Sequence, residues 1–284
     1  GGIVDHDPET GTYHLPREHA GLLTRAAGTL NLSNGLQFIG QMGKVEDDVV
    51  ESFRTGQGVP YTKYTSFHRL MAEISAQRFD NGLLQHVVPQ IPGLEDALNS
   101  GIDMADVGCG SGHAACILGQ AFPNSRFTGF DISEEAIGRG RAEAHQLGIT
   151  NVTFEVVDAA QMARTDAFDV ITSFDAIHDQ PRPDPVFAAI FAALKPGGRY
   201  LCVEPNASTH VHDNHGRTHA PFLYSVSTMH CMQVSLAAPE GEGVGAAWGR
   251  EQIQQRLTAA GFVDIERANA PHDRTNDYWL SRKP

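Results

Sequence analysis

The sequence predicts an α/β fold with a doubly wound, mainly parallel sheet, preceded by a short hairpin and a helical segment. From Ile102 onward, short runs rich in β-forming residues alternate with amphipathic helical runs, which is the pattern of a parallel sheet covered by helices. One of these units, DMADVGCGSGHAACILGQAF, carries glycines at the turn from strand to helix. Residues 1–16 contain two alternating runs around the turn PETG, which predicts the hairpin.

Length and composition narrow the class of protein. With 284 residues, the chain can form about two domains, or one large domain with an appendage. The formal net charge of −13 disfavours a nucleic-acid partner, because no dense run of Lys and Arg offsets it. No apolar run approaches the ~20 residues of a membrane span. The four cysteines form no C-x-x-C pair, which favours a reducing, cytoplasmic compartment.

The chain divides into a helical first part and an α/β remainder. From Glu18 to about Leu98 the pattern is helical, with breaks at GQGVPY and VVPQIPG, where Gly and Pro end helices. The later segment DPVFAAIFAALKPGG predicts a buried helix that ends at Gly197. We therefore expect a cap region over residues 1–80 and a second domain over residues 81–284.

A polar interruption separates two parts of the α/β pattern. After Glu204, about forty residues rich in His and Gly follow, and the alternation resumes in EQIQQRLTAAGF, VDIERAN and NDYWLSRK. An insertion between a strand and a helix lies at the carboxyl edge of the sheet, where α/β proteins bind ligands. We interpret residues 205–247 as a lid over that edge.

The glycine-rich turn ADVGCGSGHAA predicts a ligand site. Glycine lets the backbone pass close to a ligand, and the helix that follows offers free N–H groups at its N-terminus. The same turn fits a dinucleotide fingerprint through Gly110, Gly112 and Ala115, with Asp131 nineteen residues after Gly112. An NAD-type oxidoreductase is therefore one hypothesis. The other motifs of the domain must distinguish it from enzymes that bind a different cofactor at the same turn.

Five short motifs in order resemble class I S-adenosylmethionine-dependent methyltransferases, from about residue 80 to the end. They are Asp106 before the glycine turn, the acid in TGFDIS, the acid in VVDAA, the segment FDVITSFDAIHD, and LKPGGRYL. The resemblance implies a Rossmann-like, seven-stranded sheet whose last strand is antiparallel. It also implies S-adenosylmethionine as the cofactor and S-adenosylhomocysteine as its product. VDIERAN and NDYWLSRK fit the antiparallel edge pair of that fold.

The family's roles carry over to individual residues of this chain. The glycine turn would receive the methionine part of the cofactor. The acid after the second strand would bind the ribose, and the acid after the third strand would face the adenine. The fourth strand would lead to the methyl group. For Asp131 a helix N-cap is the alternative role, because SEEAI begins a helix directly after it. The implied cofactor-binding residues are Asp106, Gly108, Cys109, Gly110, Gly112, Asp131, Ile132, Asp158, Ala159 and Phe174.

Other segments resemble bacterial small-molecule methyltransferases that carry an N-terminal winged-helix module. These are GQGVPYTKYTSFHRLM, FDAIHDQ, LYSVSTMHCMQVSL and GVGAAWG. By this resemblance residues 1–23 look like the wing of that module and its exit. The resemblance implies a small-molecule acceptor and a homodimer formed through the N-terminal region.

A His-Asp pair predicts the catalytic group. His178 and Asp179 resemble the pair that such O-methyltransferases place after the fourth strand, where the His is the general base. A positioned imidazole can accelerate removal of a hydroxyl proton by ~10²–10⁴-fold. Gln180 stands where those enzymes usually have Trp, so a purely structural role for His178 is the alternative.

The lid segment THVHDNHGRTHAPFLYSVSTMHCM holds five histidines. His210 and His212 would share one face of a strand, but Asp213 is the only adjacent carboxylate, so we expect no metal site in it. We expect Tyr224 and His230 to line the acceptor pocket. Tyr61, Tyr64 and Phe67 would close the site from the helical side, with ordinary packing as the alternative. A further hypothesis is a regulator that binds the cofactor without turnover.

Overall fold

The computed structural model describes residues 2–270 and 273–284. It begins with an antiparallel hairpin of β1 (Asp5–Asp7) and β2 (Thr12–His14) around the turn PETG. The Asp7 carboxylate closes this turn by accepting hydrogen bonds from the Glu9 N–H and the Thr10 hydroxyl. The predicted hairpin is confirmed, except that Gly1 lies outside the described residues.

Five α-helices follow in the described residues, and three of them have a glycine at the C-cap, namely Gly43, Gly56 and Gly101. The third ends at Thr55, and its C-cap Gly56 has a left-handed φ of 74°. The next helical turn begins only after Pro60. The second interruption contains a π-helical turn over Leu83–Val87 and a 3-10 turn over Val88–Gln90. Both predicted breaks are confirmed. The helices are α1 (Arg17–Leu23), α2 (Leu32–Met42), α3 (Glu46–Thr55), α4 (Phe67–Gly82) and α5 (Leu94–Ser100).

The rest of the chain forms a seven-stranded sheet with the order β5-β4-β3-β6-β7-β9-β8. Of these strands, β9 runs opposite to the other six, which confirms the predicted sheet. Its strands are β3 (Asp103–Val107), β4 (Arg126–Asp131), β5 (Val152–Val156), β6 (Phe168–Phe174), β7 (Leu194–Pro205), β8 (Val263–Ala270) and β9 (Asp273–Arg282).

Helices cover both faces of this sheet, and two separate clusters of buried apolar side chains fill the space beneath them. The helix predicted to end at Gly197 instead ends at Ala193, because Leu194 already pairs with Phe168 at the start of β7. The remaining helices are α6 (His113–Ala121), α7 (Glu134–Gln146), α8 (Pro183–Ala193), α9 (Ala220–Val226), α10 (Met232–Leu236) and α11 (Arg250–Ala259).

The N-terminal helices and the segment between β7 and α11 pack against each other over the carboxyl edge of the sheet. They share a third apolar cluster, in which Phe38 and Phe67 pack with Val234 of α10. The Tyr64 hydroxyl donates to the Met229 carbonyl at 2.6 Å. These contacts join the N-terminal helices to the segment between β7 and α11. In the described part of the chain, no helix has the length and apolar character needed to cross a membrane.

Candidate active site

The glycine turn follows β3 and is fastened to the end of β4. The N–H groups of Gly108 and Cys109 both donate to the Phe130 carbonyl, at 2.8 and 3.0 Å. Gly108, Gly110 and Gly112 all have left-handed φ angles, of 72°, 55° and 69°. Only glycine adopts this conformation without strain, so the turn depends on these three residues.

The three glycines differ in what surrounds them. A Cβ atom at Gly108 would collide with the side chain of Ala176, and one at Gly112 would collide with the ring of Phe154. At Gly110, apart from the residue itself and its two chain neighbours, no described residue has an atom within 4 Å of the position that a Cβ would take. Packing therefore requires glycine at 108 and 112, whereas Gly110 leaves open space in which a ligand can approach the backbone.

Asp131 lies at the end of β4 and holds the turn from the other side. Its carboxylate accepts hydrogen bonds from the N–H groups of Gly110 and Ser133, each at 2.8 Å. The N-cap of α7 is Ser133, whose side chain accepts from the Ala136 N–H, so the N-cap alternative for Asp131 is wrong. Beside it, Ile132 is 68% exposed. A carboxylate that accepts hydrogen bonds from hydroxyl groups, next to an uncovered apolar side chain, suits a ribose with its base.

Asp106 is a buried acid beneath the glycine turn. Its carboxylate accepts a hydrogen bond from the Thr172 hydroxyl at 2.9 Å. Burial raises the pKa of Asp106 to about 7, and the nearby Asp131 carboxylate adds to the rise. A cationic group of a ligand bound at the turn would stabilise the ionised form. Burial also raises the pKa of the Cys109 thiol, whose only described hydrogen bond is to the Gly110 carbonyl, so this Cys packs rather than reacts.

The remaining predicted cofactor residues follow the neighbouring strands. Asp158 comes after β5, and its Oδ1 accepts from the Ala160 N–H at 2.9 Å, which caps the short turn that contains the buried Ala159. Phe174 ends β6, and its ring contacts the ring of Phe79 edge-on at 5.0 Å. The structure thus brings all ten predicted residues to one edge of the sheet, formed by β3, β4, β5 and β6.

His178 lies after β6 and forms a buried pair with Glu204 of β7. Nδ1 of His178 is 2.6 Å from Oε2 of Glu204. A carboxylate only accepts hydrogen bonds, so Nδ1 carries the proton and donates it. Glu204 is itself held by the Ile177 N–H at 3.0 Å and the Trp248 indole N–H at 3.2 Å. This arrangement orients the imidazole and leaves its Nε2 on the opposite side.

Charge around His178 favours its protonated form. Burial by itself lowers the pKa of His178, but the carboxylates of Glu204 and Asp179 outweigh this and raise the pKa well above its ordinary value. Nε2 lies 3.4 Å from Oδ1 of Asp179. An imidazole that is stabilised as a cation can take up a proton and hold it.

An aromatic wall from the cap region closes this side of the site. The Tyr61 hydroxyl donates to Oδ2 of Asp179 at 3.0 Å. His230 of the lid is fully buried, and its ring stacks on Phe67 with the centroids 3.6 Å apart. Tyr64 contacts His230 edge-on at 4.7 Å. Burial lowers the pKa of His230 to about 4, so this imidazole is neutral at pH 7.

The other residues predicted in the lid lie apart from this cluster. His210, His212 and His215 are exposed, and His219 is half-buried. The Tyr224 hydroxyl accepts a hydrogen bond from the Asn214 side chain at 3.0 Å, which ties two parts of the lid together. The structure therefore brings Tyr61, Tyr64, Phe67 and His230 together beside Asp179 and His178. The Tyr224 hydroxyl, in contrast, bonds to Asn214 within the lid.

Two residues of the cluster were missed from the sequence. Glu204 is the partner of His178, and Cys231 is a buried thiol close to Asp179 and His178. Strand pairing could have found Glu204, because it directly follows Val203, the partner of Phe174 in the neighbouring strand. No spacing in the sequence points to Cys231, because it belongs to the insertion after β7 and reaches His178 only when that insertion folds back over the sheet.

A comparison with family profiles matches the description "Methyltransferase domain" to residues 98–258, which is more than half of the chain. Among curated proteins, the 27-O-demethylrifamycin SV methyltransferase of Amycolatopsis mediterranei is 33% identical over 104 residues, which cover 36% of this chain and 38% of that protein. The demethylmenaquinone methyltransferase of Lactococcus lactis is 25% identical over 174 residues, which cover 59% of this chain and 68% of that protein. The first match thus spans well under two thirds of its relative.

Solved structures share the fold along nearly the whole chain. A protein from Nostoc punctiforme PCC 73102 superposes with a TM-score of 0.72 at 14% identity, over 99% of this chain and 80% of that one. "PigF with SAH" superposes with a TM-score of 0.69 at 17% identity, over 99% and 82% of the two chains. With the glycine turn and strand-end acids described above, these matches mean that the chain belongs to the methyltransferase domain family and has the fold of class I S-adenosylmethionine-dependent methyltransferases.

Proposed function

We propose that the chain transfers a methyl group from S-adenosylmethionine to a hydroxyl group of a small-molecule acceptor, with His178 as the general base. The observation that carries the proposal is the buried pair of His178 and Glu204, which orients an imidazole at the carboxyl edge of the sheet. Transfer to a hydroxyl needs a group that removes its proton, and this pair supplies one.

The cofactor-binding residues proposed are those along β3 to β6. The open space at Gly110 admits the methionine part of the cofactor, and the Asp131 carboxylate beside it is suited to two ribose hydroxyls. The buried Asp106 carboxylate suits the cationic end of the methionine. Each bond to an ionised carboxylate contributes ~1.5–3 kcal/mol. Asp158, Ala159, Ile132 and Phe174 complete the proposed set.

The proposed chemistry is an in-line displacement, in which S-adenosylmethionine supplies an activated methyl group on sulfur. Nε2 of His178, when it carries no proton, would accept the proton of the acceptor's hydroxyl group as the acceptor oxygen bonds to the methyl carbon. The bond from that carbon to the sulfonium sulfur would break in the same step, and S-adenosylhomocysteine would leave. Glu204 and Asp179 then stabilise the resulting imidazolium through their charge. Holding the reactants in line can contribute ~7–11 kcal/mol. Tyr61, Tyr64 and Phe67 exclude water from this side of the site.

Two measurements test this function. Calorimetric titration with S-adenosylhomocysteine should give micromolar or tighter binding, and NADH should bind more weakly; a preference for NADH would favour an oxidoreductase instead. Transfer of labelled methyl groups to a panel of phenols and other hydroxyl compounds should be slowed by His178→Ala and unaffected by His219→Ala on the lid. Unchanged transfer in His178→Ala would remove the base assignment. Cofactor binding without transfer to any acceptor would favour a regulator.

A homodimer formed through the N-terminal region is part of the proposal. Along α2, Leu32, Leu36 and Ile39 are 59%, 61% and 71% exposed and lie on one face. On α3, Phe53 is 71% exposed. Apolar stripes of this kind support an interface between copies. Sedimentation at micromolar concentration should show a dimer that Ile39→Asp dissociates, and a wild-type monomer would contradict it.

The proposed division of the chain follows the same contacts. We propose a cap over residues 1–80, resembling part of a winged-helix module, and a methyltransferase domain over residues 81–284 with its lid at 205–247. The shared apolar cluster of α2, α4 and α10 supports closure of the site by cap and lid together. A cytoplasmic location is supported by four unpaired thiols, those of Cys109, Cys116, Cys202 and Cys231.

A further inference from the structure

Three potential metal ligands meet in the acceptor side of the site. A ring nitrogen of His178, a carboxylate oxygen of Asp179 and Sγ of Cys231 all lie within 4.8 Å of one another. Nε2 of His178 and Oδ1 of Asp179 are 3.4 Å apart. Ligands held at about 2.0–2.3 Å from a tetrahedral Zn²⁺ lie roughly 3.3–3.8 Å from one another. The cluster is therefore close to the dimensions of a zinc site before any side chain moves.

The groups behind these atoms are arranged as they are behind metal ligands. Nδ1 of His178 donates to Glu204, so Nε2 is the ring nitrogen that can bind a cation once it has lost its proton. Histidines that bind metals commonly donate their second ring N–H to a carboxylate in this way. Oδ2 of Asp179 accepts from the Tyr61 hydroxyl. Two of the three ligands, His178 and Asp179, are thus held in place by partners on their far sides.

Two polar groups at the cluster lack partners. Oδ1 of Asp179 is buried and accepts no hydrogen bond from any described residue. Both ring nitrogens of His230 are likewise without a partner in the described chain, although this side chain is 0% exposed. Nδ1 of His230 is 4.0 Å from Oδ2 of Asp179. Buried polar atoms are rarely left unpaired, so these atoms point to a ligand that completes the site.

We propose that His178, Asp179 and Cys231 bind one thiophilic divalent cation, for which Zn²⁺ is the best match, and that the nearby ring of His230 moves toward the cation to become the fourth ligand. Cys231 loses its thiol proton to solvent as its sulfur binds the cation. Four protein ligands leave no open position for an acceptor, as in structural rather than catalytic zinc sites. This inference rests on the function proposed above and adds regulation to it. The lone pair of Nε2 serves either the cation or the acceptor's proton, so the bound cation blocks methyl transfer.

The first experiment measures cation binding without cofactor or acceptor. Protein stripped of metal is titrated with Zn²⁺ against a chromophoric chelator, and with Co²⁺ as a spectroscopic substitute. We expect one Zn²⁺ per chain, and with Co²⁺ a thiolate-to-metal charge-transfer band and the strong visible absorption of a tetrahedral site. Cys231→Ser should abolish the charge-transfer band, whereas Cys116→Ser, a buried thiol in α6, should leave it unchanged.

Asp179→Asn provides a second variant in case Cys231→Ser unfolds the lid. It keeps the shape of the side chain and should weaken Zn²⁺ binding by at least roughly tenfold. Loss of a residue that only supports a metal ligand already weakens metal binding by about that much. His212→Ala, on the exposed part of the lid, should bind Zn²⁺ as the wild type does. No binding at micromolar Zn²⁺, or binding that survives both Cys231→Ser and Asp179→Asn, would overturn the site.

Titration with S-adenosylhomocysteine in the same samples separates this inference from the proposed function. Cofactor binding without Zn²⁺ binding would refute the cation site and leave the methyltransferase function standing. Zn²⁺ binding without cofactor binding would support the cation site and refute the methyltransferase function. With both present and an acceptor in hand, Zn²⁺ should inhibit transfer and a chelator should restore it; transfer that proceeds equally with the site filled would refute the block.

Discussion

Nδ1 of His178 donates a hydrogen bond to Glu204 at 2.6 Å, and both side chains are buried where β6 and β7 end. The two residues are 26 positions apart in the sequence and meet because their strands are neighbours. A carboxylate behind an imidazole fixes its tautomer and stabilises its cation, which is how a His acts as a base. The proposed catalysis therefore depends on Glu204 as well as on His178.

We expect Glu204→Gln to slow methyl transfer by roughly 10²-fold or more, because the imidazolium loses the charge that stabilises it. Binding of S-adenosylhomocysteine should be unchanged, since Glu204 is not among the proposed cofactor residues. Initial rates with a labelled methyl donor and calorimetric titration measure the two effects. The same exchange at the exposed Glu240 is the control. Equal rates for both variants would mean that the pair is structural.

Asp131→Ala should weaken cofactor binding by at least roughly tenfold, the loss of about one charge-assisted bond. The variant also removes the acceptor for the Gly110 N–H, which loosens the glycine turn. Calorimetric titration with S-adenosylhomocysteine gives the affinity. Glu134→Gln removes one charge from the exposed first turn of α7 and should bind the cofactor normally. If Asp131→Ala bound S-adenosylhomocysteine as tightly as the wild type does, Asp131 would not be the residue that binds the ribose.

The two glycine variants Gly110→Ala and Gly112→Ala should fail in different ways. Both residues have left-handed φ, which costs an alanine about 1–2 kcal/mol. At Gly112 the new Cβ also collides with Phe154, so we expect a further ~1–3 kcal/mol of destabilisation. At Gly110 it enters open space and should mainly weaken cofactor binding. Urea unfolding and calorimetry separate these effects; undiminished affinity in Gly110→Ala would contradict our placement of the cofactor.

Asp106→Asn should alter the pH dependence of stability. The pKa of Asp106 is raised to about 7 in the folded protein, against an ordinary value of 3.8, because the carboxyl is buried. A raised folded-state pKa gives stability that is present below about pH 4 and is lost as the pH rises through 7, by a few kcal/mol at most. The Asn side chain carries no charge at any pH, and its amide oxygen can still accept the hydrogen bond from the Thr172 hydroxyl.

The free energy of unfolding of Asp106→Asn should therefore rise relative to the wild type between pH 5 and pH 8. Urea unfolding of both proteins at several pH values in this range measures the difference. Asp47→Asn, on the exposed first turn of α3, should follow the wild type at every pH. A difference between Asp106→Asn and the wild type that stays constant with pH would show that Asp106 ionises normally.

Much of the fold could be predicted from local pattern. Alternating strands and helices, the glycine turn and the acids after successive strands are each encoded within a few residues. In a parallel sheet the carboxyl ends of neighbouring strands meet at one edge, so Asp106, Asp131 and Asp158 could be assigned to one site before any contact was known. The predicted end of α8 was wrong because a pairing between strands, and not the glycine, ends that helix.

The sequence by itself determined the order of the strands and helices, the glycine turn and the strand-end acids, because periodicity and turn chemistry are local properties. Only the tertiary structure decided which side chains meet around His178. The Tyr61 hydroxyl contacts Asp179 across 118 residues, and His230 is buried in an aromatic wall while His210 and His212 stay exposed. These outcomes depend on how the cap and the lid pack over the sheet, and contacts between distant segments leave no periodic signal in the chain.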